Sequence, residues 1–227
     1  VLFAVGLFPC TRDLMMGAPK LRAVISPFTG TEGFDERAAT ELGIVVGNGQ
    51  TRENYESMAE AGVMLILMSL YDVHRTERVL RENLPRPHES ELNARMLRGK
   101  TVGLVGFGKI GRTIAAKLQN WGVTLQAAVR RTPADAPPYV TIVPLDDLLA
   151  TSDIVVVAVD LNATTRGLLN AERLERIKQG AIIVNICRGH IIDEAALEGF
   201  SHELVAAGDK LIAARRELLP RLSPLAR

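Results

Sequence analysis

The feature that most constrains the fold is a glycine-rich turn, GFGKIG, at residues 106–111. An apolar run, TVGLV, precedes this turn, and a segment of helix-forming residues follows it. A strand, a G-x-G-x-x-G turn and a helix in this order are typical of dinucleotide-binding α/β units. The motif therefore predicts an α/β fold with a parallel sheet, in which the turn joins a buried strand to a helix.

Each position of the turn has a physical role in binding a dinucleotide. Gly106 allows the tight turn, Gly108 lets the backbone approach a pyrophosphate, and Gly111 permits close packing of helix on strand. Lys109 and Ile110 open the helix, whose N-terminal N–H groups and partial positive charge favour phosphate. The alternative is an ordinary strand–helix turn that binds no ligand.

The rest of the chain alternates between runs of β-branched residues and helix-like segments. This alternation predicts a doubly wound parallel sheet of the Rossmann type. Strands are expected at residues 1–6, 21–26, 43–48, 101–105, 123–129, 153–160 and 181–189. Helices are expected at residues 35–42, 51–83, 112–121, 145–152 and 170–179, and a further helix is expected to start at Asp193.

The predicted helix over residues 51–83 is unusually long and has an apolar middle with charged ends. Such a helix is buried in its centre, as at a domain or subunit interface. The polar, proline-bearing segment that begins at Leu84 is the expected linker. We therefore assign residues 1–92 to a substrate domain that includes the long helix, and residues 93–227 to a dinucleotide-binding domain.

The composition argues against several classes of protein. Lys and Arg number 27 against 26 for Asp and Glu, so the net charge of +1 gives no global attraction to nucleic acid or to an anionic membrane. The two cysteines, Cys10 and Cys187, form neither a disulfide framework nor a zinc-binding spacing. The longest apolar run, residues 61–71, is too short to span a bilayer. We expect a cytoplasmic protein whose partner is a small molecule.

The residues after the second strand of the dinucleotide-binding unit bear on the choice of cofactor. Sites selective for NAD usually place Asp or Glu at this strand end, about 20 residues beyond the glycine turn. Here the strand ends in Val129, Arg130 and Arg131, and two guanidinium groups suit a 2′-phosphate. We therefore favour NADP over NAD. The alternative is that both arginines lie in a solvated loop.

The segment LDDLLATSDIVVVAVDLNATTRGLLNAERLERIKQGAIIVNICRGHIIDEAAL resembles the D-isomer-specific 2-hydroxyacid dehydrogenases, a group that includes phosphoglycerate, formate and glyoxylate/hydroxypyruvate enzymes. The segments that begin at Ala18 and Arg95 are similar to the same family, so the resemblance covers residues 18–198. It implies a flavodoxin-like α/β substrate domain, here partial, and a homodimer. It also implies a nicotinamide cofactor that carries hydride between a 2-oxo acid and a D-2-hydroxy acid.

The resemblance further implies site residues. The family uses an Arg, a Glu and a His, and Arg188 in the segment NICRG matches the Arg, whose guanidinium can clamp a carboxylate and polarise a carbonyl. Glu217 lies at about the expected distance for the Glu. Phe28, Thr29 and Gly30 match a loop whose backbone N–H groups bind the substrate carboxylate. The residues matched to the cofactor side are Thr165 and Cys187, the latter replacing a small residue and expected to pack.

The resemblance breaks after Gly199. A charged, helix-like segment, FSHELVAAGDKLIAARRELL, replaces the small-residue strand of the family, and no catalytic His is matched before Arg227. The first strand and helix of the substrate domain are not matched either. We therefore expect a chain that lacks both ends of the family pattern and has impaired activity. The alternatives are a non-catalytic dinucleotide-binding protein of corepressor or scaffold type, and an inactive fragment.

Overall fold

The computed structural model describes residues 1–86, 94–131, 133–198 and 205–206. Contacts within the chain form two compact units, Val1–Tyr55 and Glu56–Arg227, each built around a parallel sheet. The units divide inside the long helical segment, ahead of the boundary expected after residue 92, because residues beyond Tyr55 pack on the second sheet. The assignment of residues 1–92 and 93–227 to substrate and dinucleotide stays a prediction.

The first unit contains a three-stranded sheet with the strand order β1-β2-β3. Strands added in one direction through right-handed crossovers place their connecting helices on the same face of a sheet. Met15 and Ala39, one from each helix, accordingly pack with Val24 of the central strand. The elements of this unit are β1 (Leu2–Phe3), α1 (Arg12–Met16), β2 (Ala23–Ser26), α2 (Glu36–Glu41) and β3 (Val45–Asn48).

The second unit contains a six-stranded parallel sheet with the order β6-β5-β4-β7-β8-β9. The order reverses between β4 and β7, which is the doubly wound Rossmann arrangement that the sequence predicts. Its elements are α3 (Arg52–Leu70), which begins just before the unit, α4 (Val73–Arg81), β4 (Thr101–Val105), α5 (Lys109–Leu118), β5 (Thr124–Ala128), β6 (Val140–Ile142), α6 (Leu145–Thr151), β7 (Ile154–Val157), α7 (Ala171–Glu175), β8 (Ile182–Asn185), α8 (Glu194–Glu198) and β9 (Val205–Ala206).

Alternate strand positions form a hydrophobic core on each face of this sheet. On one face, Leu104 and Val156 pack with helices α3 and α5. On the other face, Val105 and Val157 pack with α6 and α7. Both cores are made mainly of Val, Leu and Ile, so each strand of the centre is apolar on both sides. This rigid sheet positions the loops at its edges.

The helix expected over residues 51–83 is in fact two helices, so this prediction is wrong. α3 ends at Leu70 and α4 begins at Val73, and between them Asp72 has a left-handed backbone with a φ of 44°. α3 is buried in its middle, as predicted, whereas α4 buries none of its residues. The residues of both helices favour helical structure. The break comes where the buried residues of α3 end and the exposed residues of α4 begin.

Four further elements differ from the sequence prediction. β1 covers only Leu2–Phe3, and neither α1 nor β6 was expected. β9 pairs in parallel with β8 through Ile182↔Val205 and Ile183↔Ala206. The prediction that a helix-like segment replaces this strand is therefore wrong at Val205–Ala206, because the backbone there pairs with the edge of β8.

Among the residues that the structure describes, none of the helices combines the length and apolar composition that crossing a bilayer requires.

Candidate active site

The glycine turn joins β4 to α5 at the point where the strand order reverses. Gly106 has a φ of +97°, and its amide N–H donates to the carbonyl oxygen of Ala128 over 2.9 Å. A Cβ atom at Gly106 would lie 2.4 Å from the carbonyl oxygen of Ala158, directly after β7. A left-handed backbone and a close approach between neighbouring strand ends both require glycine here.

The N-terminus of α5 faces open space. Apart from its two chain neighbours and the helix's own backbone, no atom of the described residues lies within 4 Å of a Cβ built at Gly108, the N-cap residue. A Cβ at Gly111 would lie 2.6 Å from the carbonyl oxygen of Gly106, so the helix packs directly on the turn. Lys109 is exposed and Ile110 half-buried at the start of the helix. This cradle of bare backbone fits a dinucleotide pyrophosphate.

Arg130 and Arg131 follow β5, the neighbour of β4 in the sheet. Both are exposed, and neither forms an ion pair with any residue that the structure describes. Two unpaired guanidinium groups therefore lie near the end of the second strand of the dinucleotide-binding unit. Their contact with a 2′-phosphate stays a prediction.

Arg112 of α5 is a residue that the sequence analysis missed. Its Nη2 atom lies 2.7 Å from Oδ1 of Asp135, in the loop after β5, and its Nη1 donates to the main-chain oxygen of Asp135 over 3.3 Å. Its guanidinium carbon lies 4.9 Å from the centre of the Phe107 ring, within the glycine turn. The only sequence signal was an arginine directly after the last glycine of the motif, and spacing alone does not reveal its partner.

The hydroxyl of Thr165 is used within the loop that follows β7. It donates to the carbonyl oxygen of Asp160 over 2.6 Å and accepts the N–H of Asn162 over 2.8 Å. These two bonds shape residues 160–165 in the manner of a local side-chain turn. Thr165 thus supports the loop, and its direct contact with a cofactor stays a prediction.

The loop that carries Arg188 is organised by Asn185, the last residue of β8. The Asn185 side chain accepts the N–H of Cys187 over 3.0 Å and donates to the carbonyl oxygen of Arg188 over 3.1 Å. The Arg188 side chain is exposed at the start of the short 3-10 helix Gly189–Ile191. Because β4, β7 and β8 are parallel neighbours, Arg188 and the glycine turn lie at the same edge of the sheet.

Cys187 is a packing residue, as the sequence analysis expects. Its thiol donates to the carbonyl oxygen of Val157 over 3.2 Å, and its side chain packs against the core that includes Leu169. Burial raises the pKa of the Cys187 thiol to about 11, so the group stays protonated at neutral pH and is a poor nucleophile. A contact between Cys187 and the cofactor stays a prediction.

In the first unit, side chains hold the loop at residues 28–30. Asn48 donates to the carbonyl oxygen of Thr29 over 3.0 Å, and the Thr29 hydroxyl donates to Oδ1 of Asn54 over 2.9 Å. Phe28 is 59% exposed. Within the described residues, the amide N–H groups of Thr29 and Gly30 have no hydrogen-bond acceptor. The loop therefore offers two backbone donors to an anion.

The residues still to be placed are Glu217 and the four histidines. Glu217 lies outside the described residues, as do His88 and His202. The other histidines are His74 on α4 and the exposed His190 beside Arg188. The structure thus leaves the proposed Glu–His part of the catalytic group untested.

Comparisons with known proteins agree with the architecture of the second unit. Residues 63–212 match the family model of the D-isomer specific 2-hydroxyacid dehydrogenase, NAD binding domain. The D-3-phosphoglycerate dehydrogenase of Mycobacterium tuberculosis is 35% identical over 187 residues, which are 82% of this chain and 35% of that protein. The glyoxylate reductase of Korarchaeum cryptofilum is 31% identical over 221 residues, or 96% of this chain and 66% of that protein.

A solved structure shares the fold. The TT0316 protein of Thermus thermophilus superposes with a TM-score of 0.80 and 30% sequence identity, over 89% of this chain and 65% of that one. The chain thus spans about a third of the length of the mycobacterial relative and about two thirds of the others. Because the family model covers the glycine turn, the loop of Arg188 and the sheet between them, the chain belongs to the D-isomer-specific 2-hydroxyacid dehydrogenases.

Proposed function

We propose that the protein is a nicotinamide-dependent oxidoreductase that interconverts a 2-oxo acid and a D-2-hydroxy acid. One observation carries the proposal: an open glycine cradle and the exposed Arg188 lie at the same carboxyl-terminal edge of a Rossmann sheet. A crevice at this edge, where the strand order reverses, is the usual ligand site of such sheets. The relatives named phosphoglycerate dehydrogenase and glyoxylate reductase support this class of reaction.

The residues of the chain would share the work of binding and orientation. The bound NAD(P)H supplies the hydride. The turn at Gly106 and Gly108 and the start of α5 would bind the pyrophosphate through backbone N–H groups. Arg188 would clamp the carboxylate of the substrate and stabilise the negative charge that develops on its carbonyl oxygen. In the first unit, the N–H groups of Thr29 and Gly30, which have no acceptor among the described residues, are also suited to a carboxylate.

The reaction also needs a proton donor, and the family resemblance gives this role to a His supported by a Glu, here Glu217. General acid catalysis typically contributes about 10²–10⁴ in rate. The resemblance matches neither His74 nor His190 to this acid. We therefore expect the chain to bind cofactor well and to turn over slowly. A dinucleotide-binding protein without turnover is the second candidate, favoured because neither of these histidines is matched to the acid.

We further propose that NADP is preferred and that the protein acts in the cytoplasm. Arg130 and Arg131 support the first point, since both guanidinium groups are exposed and unpaired among the described residues. Val129 stands where an NAD-selective site usually carries an acid. The two free cysteines, Cys10 and Cys187, are consistent with a reducing compartment.

We also propose a homodimer formed through an apolar groove between α3, α4 and α5. The groove has a volume of about 670 Å³ and includes Met64, Tyr71 and Trp121, which are 47%, 49% and 43% exposed. α4 buries none of its residues, and Leu80 on it is 76% exposed. A helix this short is marginal without tertiary packing, so a second copy seated here would stabilise it.

The activity is tested by following NADPH and NADH oxidation with glyoxylate and hydroxypyruvate. The wild type is compared with Arg188→Ala and with Arg166→Ala, a control at another exposed arginine. We expect slow turnover by the wild type and the control, and a loss of about 10²–10³-fold in Arg188→Ala, as for removal of a donor that stabilises a developing oxyanion. Equal turnover by all three would contradict the role of Arg188. Cofactor binding without any turnover would favour the second candidate.

A further inference from the structure

We propose that Arg112 and Asp135 form a clasp that positions Arg130 and Arg131 and so sets the preference for the 2′-phosphate of the cofactor. Arg112 is then a positioning residue. The inference rests on the proposed binding of a dinucleotide in the glycine cradle.

Arg112 binds Asp135 at two points. The carboxylate oxygen Oδ1 lies 2.7 Å from Nη2, and the main-chain oxygen lies 3.3 Å from Nη1. A guanidinium fork that binds both a side chain and its backbone fixes the loop more firmly than a single surface ion pair does. The guanidinium also stacks on Phe107, which is 6% exposed and belongs to the core. The clasp is therefore anchored on a rigid part of the glycine turn.

The clasp limits where the two arginines can lie. The described residues between Ala128, the end of β5, and Val140, the start of β6, contain no helix or strand. Asp135 follows Arg131 by four residues, and an extended chain spans at most about 3.3–3.6 Å per residue. The backbone of Arg131 thus stays within about 14 Å of the clasp. The clasp ties this segment to α5 through side chains, in addition to β5 and β6 at its two ends.

The direction in which one substitution changes binding of the 2′-phosphate separates this proposal from simple electrostatics. Asp135 is an acid near a site that we propose for a phosphate, so its charge alone would weaken binding of that phosphate. Its side chain is 80% exposed, and an exposed charge about a Debye length away is largely screened, so its removal would strengthen binding by about twofold at most. If Asp135 instead holds the loop, Asp135→Asn weakens binding of the 2′-phosphate, because Arg130 and Arg131 lose their fixed position.

The experiment measures binding of 2′,5′-ADP and of 5′-AMP to the full chain by calorimetry, because the two probes differ only in the 2′-phosphate. Selectivity is the ratio of the two affinities. The variants are Asp135→Asn, Arg112→Lys, which keeps the charge but not the fork, and the double variant. The variant Arg130→Ala/Arg131→Ala shows how far the selectivity falls when both guanidinium groups are removed. Glu172→Gln breaks a comparable exposed ion pair with Arg176, at 2.9 Å on another helix, and is the control.

We expect each single clasp variant to lower the selectivity about threefold to tenfold, which is at most the effect of one charge-assisted hydrogen bond. The double variant should lose no more than either single variant, since both break the same contact. The control should keep the wild-type ratio. All variants should unfold within about 3 °C of the wild type, because exposed ion pairs contribute little stability.

Three outcomes would overturn the clasp: a selectivity in Asp135→Asn that is equal to or above that of the wild type, strictly additive losses in the double variant, or equal affinity of the wild type for both probes. NADPH and NADH titrations separate this failure from that of the proposed function. If the wild type binds neither dinucleotide, the proposed function itself is wrong. If it binds them and the clasp variants keep the ratio, only the clasp is wrong.

Discussion

Gly106 and Gly108 are two residues apart, and the structure requires glycine at them for different reasons. A side chain at Gly106 would collide with the carbonyl oxygen of Ala158 at 2.4 Å, in a backbone conformation that other residues adopt at a cost of about 1–2 kcal/mol. A side chain at Gly108 would meet open space. Substitutions at the two positions can therefore separate folding from binding.

We expect Gly108→Val to keep the fold and to lose dinucleotide binding. Its β-branched side chain would fill the space in front of the first N–H groups of α5, which the pyrophosphate must approach. Replacing an N-cap glycine with an apolar residue costs about 1 kcal/mol or less. Titration of NADPH fluorescence measures binding, and thermal unfolding measures stability. Gly106→Ala is the comparison and should lower the unfolding temperature. If Gly108→Val binds NADPH as the wild type does, the assignment of the glycine cradle as the dinucleotide site is wrong.

For single residues, the sequence predicts the features that the local backbone conformation requires. The conformational requirements of the glycine turn are local, so the spacing of Gly106, Gly108 and Gly111 predicts the turn correctly. Arg112 and Asp135 are 23 residues apart in the chain and share no sequence pattern, so their contact could not be predicted. The support that Asn185 gives to the loop of Arg188 was likewise missed, because a polar residue at a strand end has many possible partners.

Among the secondary-structure elements, one carboxylate links the starts of neighbouring strands. Asp153 precedes β7, accepts the N–H of Thr101 at the start of β4 over 2.8 Å, and pairs with Lys178 over 2.8 Å. Burial alone would raise the pKa of Asp153, but the bonds from Lys178 and Thr101 together lower it below its ordinary value. A carboxyl group whose pKa is lowered by folding stabilises the folded state in its ionised form.

We expect Asp153→Asn to lower the free energy of unfolding by about 1–2 kcal/mol at pH 7, the usual range for a hydrogen-bonded charged group that is partly exposed. This contribution is complete well above the unfolded pKa of about 3.9 and is lost as the pH falls through the lower, folded pKa. The difference between wild type and variant should therefore shrink below about pH 4. Urea unfolding at a series of pH values measures it, with Asp147→Asn on the exposed side of α6 as the control. A pH-independent difference would contradict the ionised role of Asp153.

At the element scale, the sequence predicts most strands and fewer of the helix limits. Runs such as the buried Ile154–Val157 are too apolar and β-branched for any other role, so the central strands follow from composition. The division of the long helix at Asp72 depends on one left-handed residue, which no periodicity reveals. β9 was missed because its two residues, Val205 and Ala206, become a strand only through pairing with β8.

At the scale of the whole molecule, strand order decides which surfaces are covered. The second sheet reverses its order at β4 and carries helices on both faces, whereas the first sheet adds its strands in one direction and carries helices on one. The opposite face of the first sheet accordingly leaves Phe3 and Val45 71% and 64% exposed. An exposed apolar patch thus follows from topology there, and it differs in origin from the groove between α3, α4 and α5.

That groove is built from helices rather than from a bare sheet, and the last prediction concerns it. We expect the wild type to sediment as a dimer at micromolar concentration, since burial of the groove and of α4 in a second copy removes apolar surface from water. Met64→Asp and Leu80→Asp should each shift the protein toward monomer, because each places a charge where an apolar contact is proposed. Leu7→Asp is the matched control, since Leu7 is 78% exposed but lies in the first unit. In the monomer, the backbone amides of α4 should exchange hydrogen faster than those of α3, as α4 then has no buried side chain to hold it. A monomeric wild type, or dissociation by Leu7→Asp to the same extent, would assign the dimer to another surface or to none.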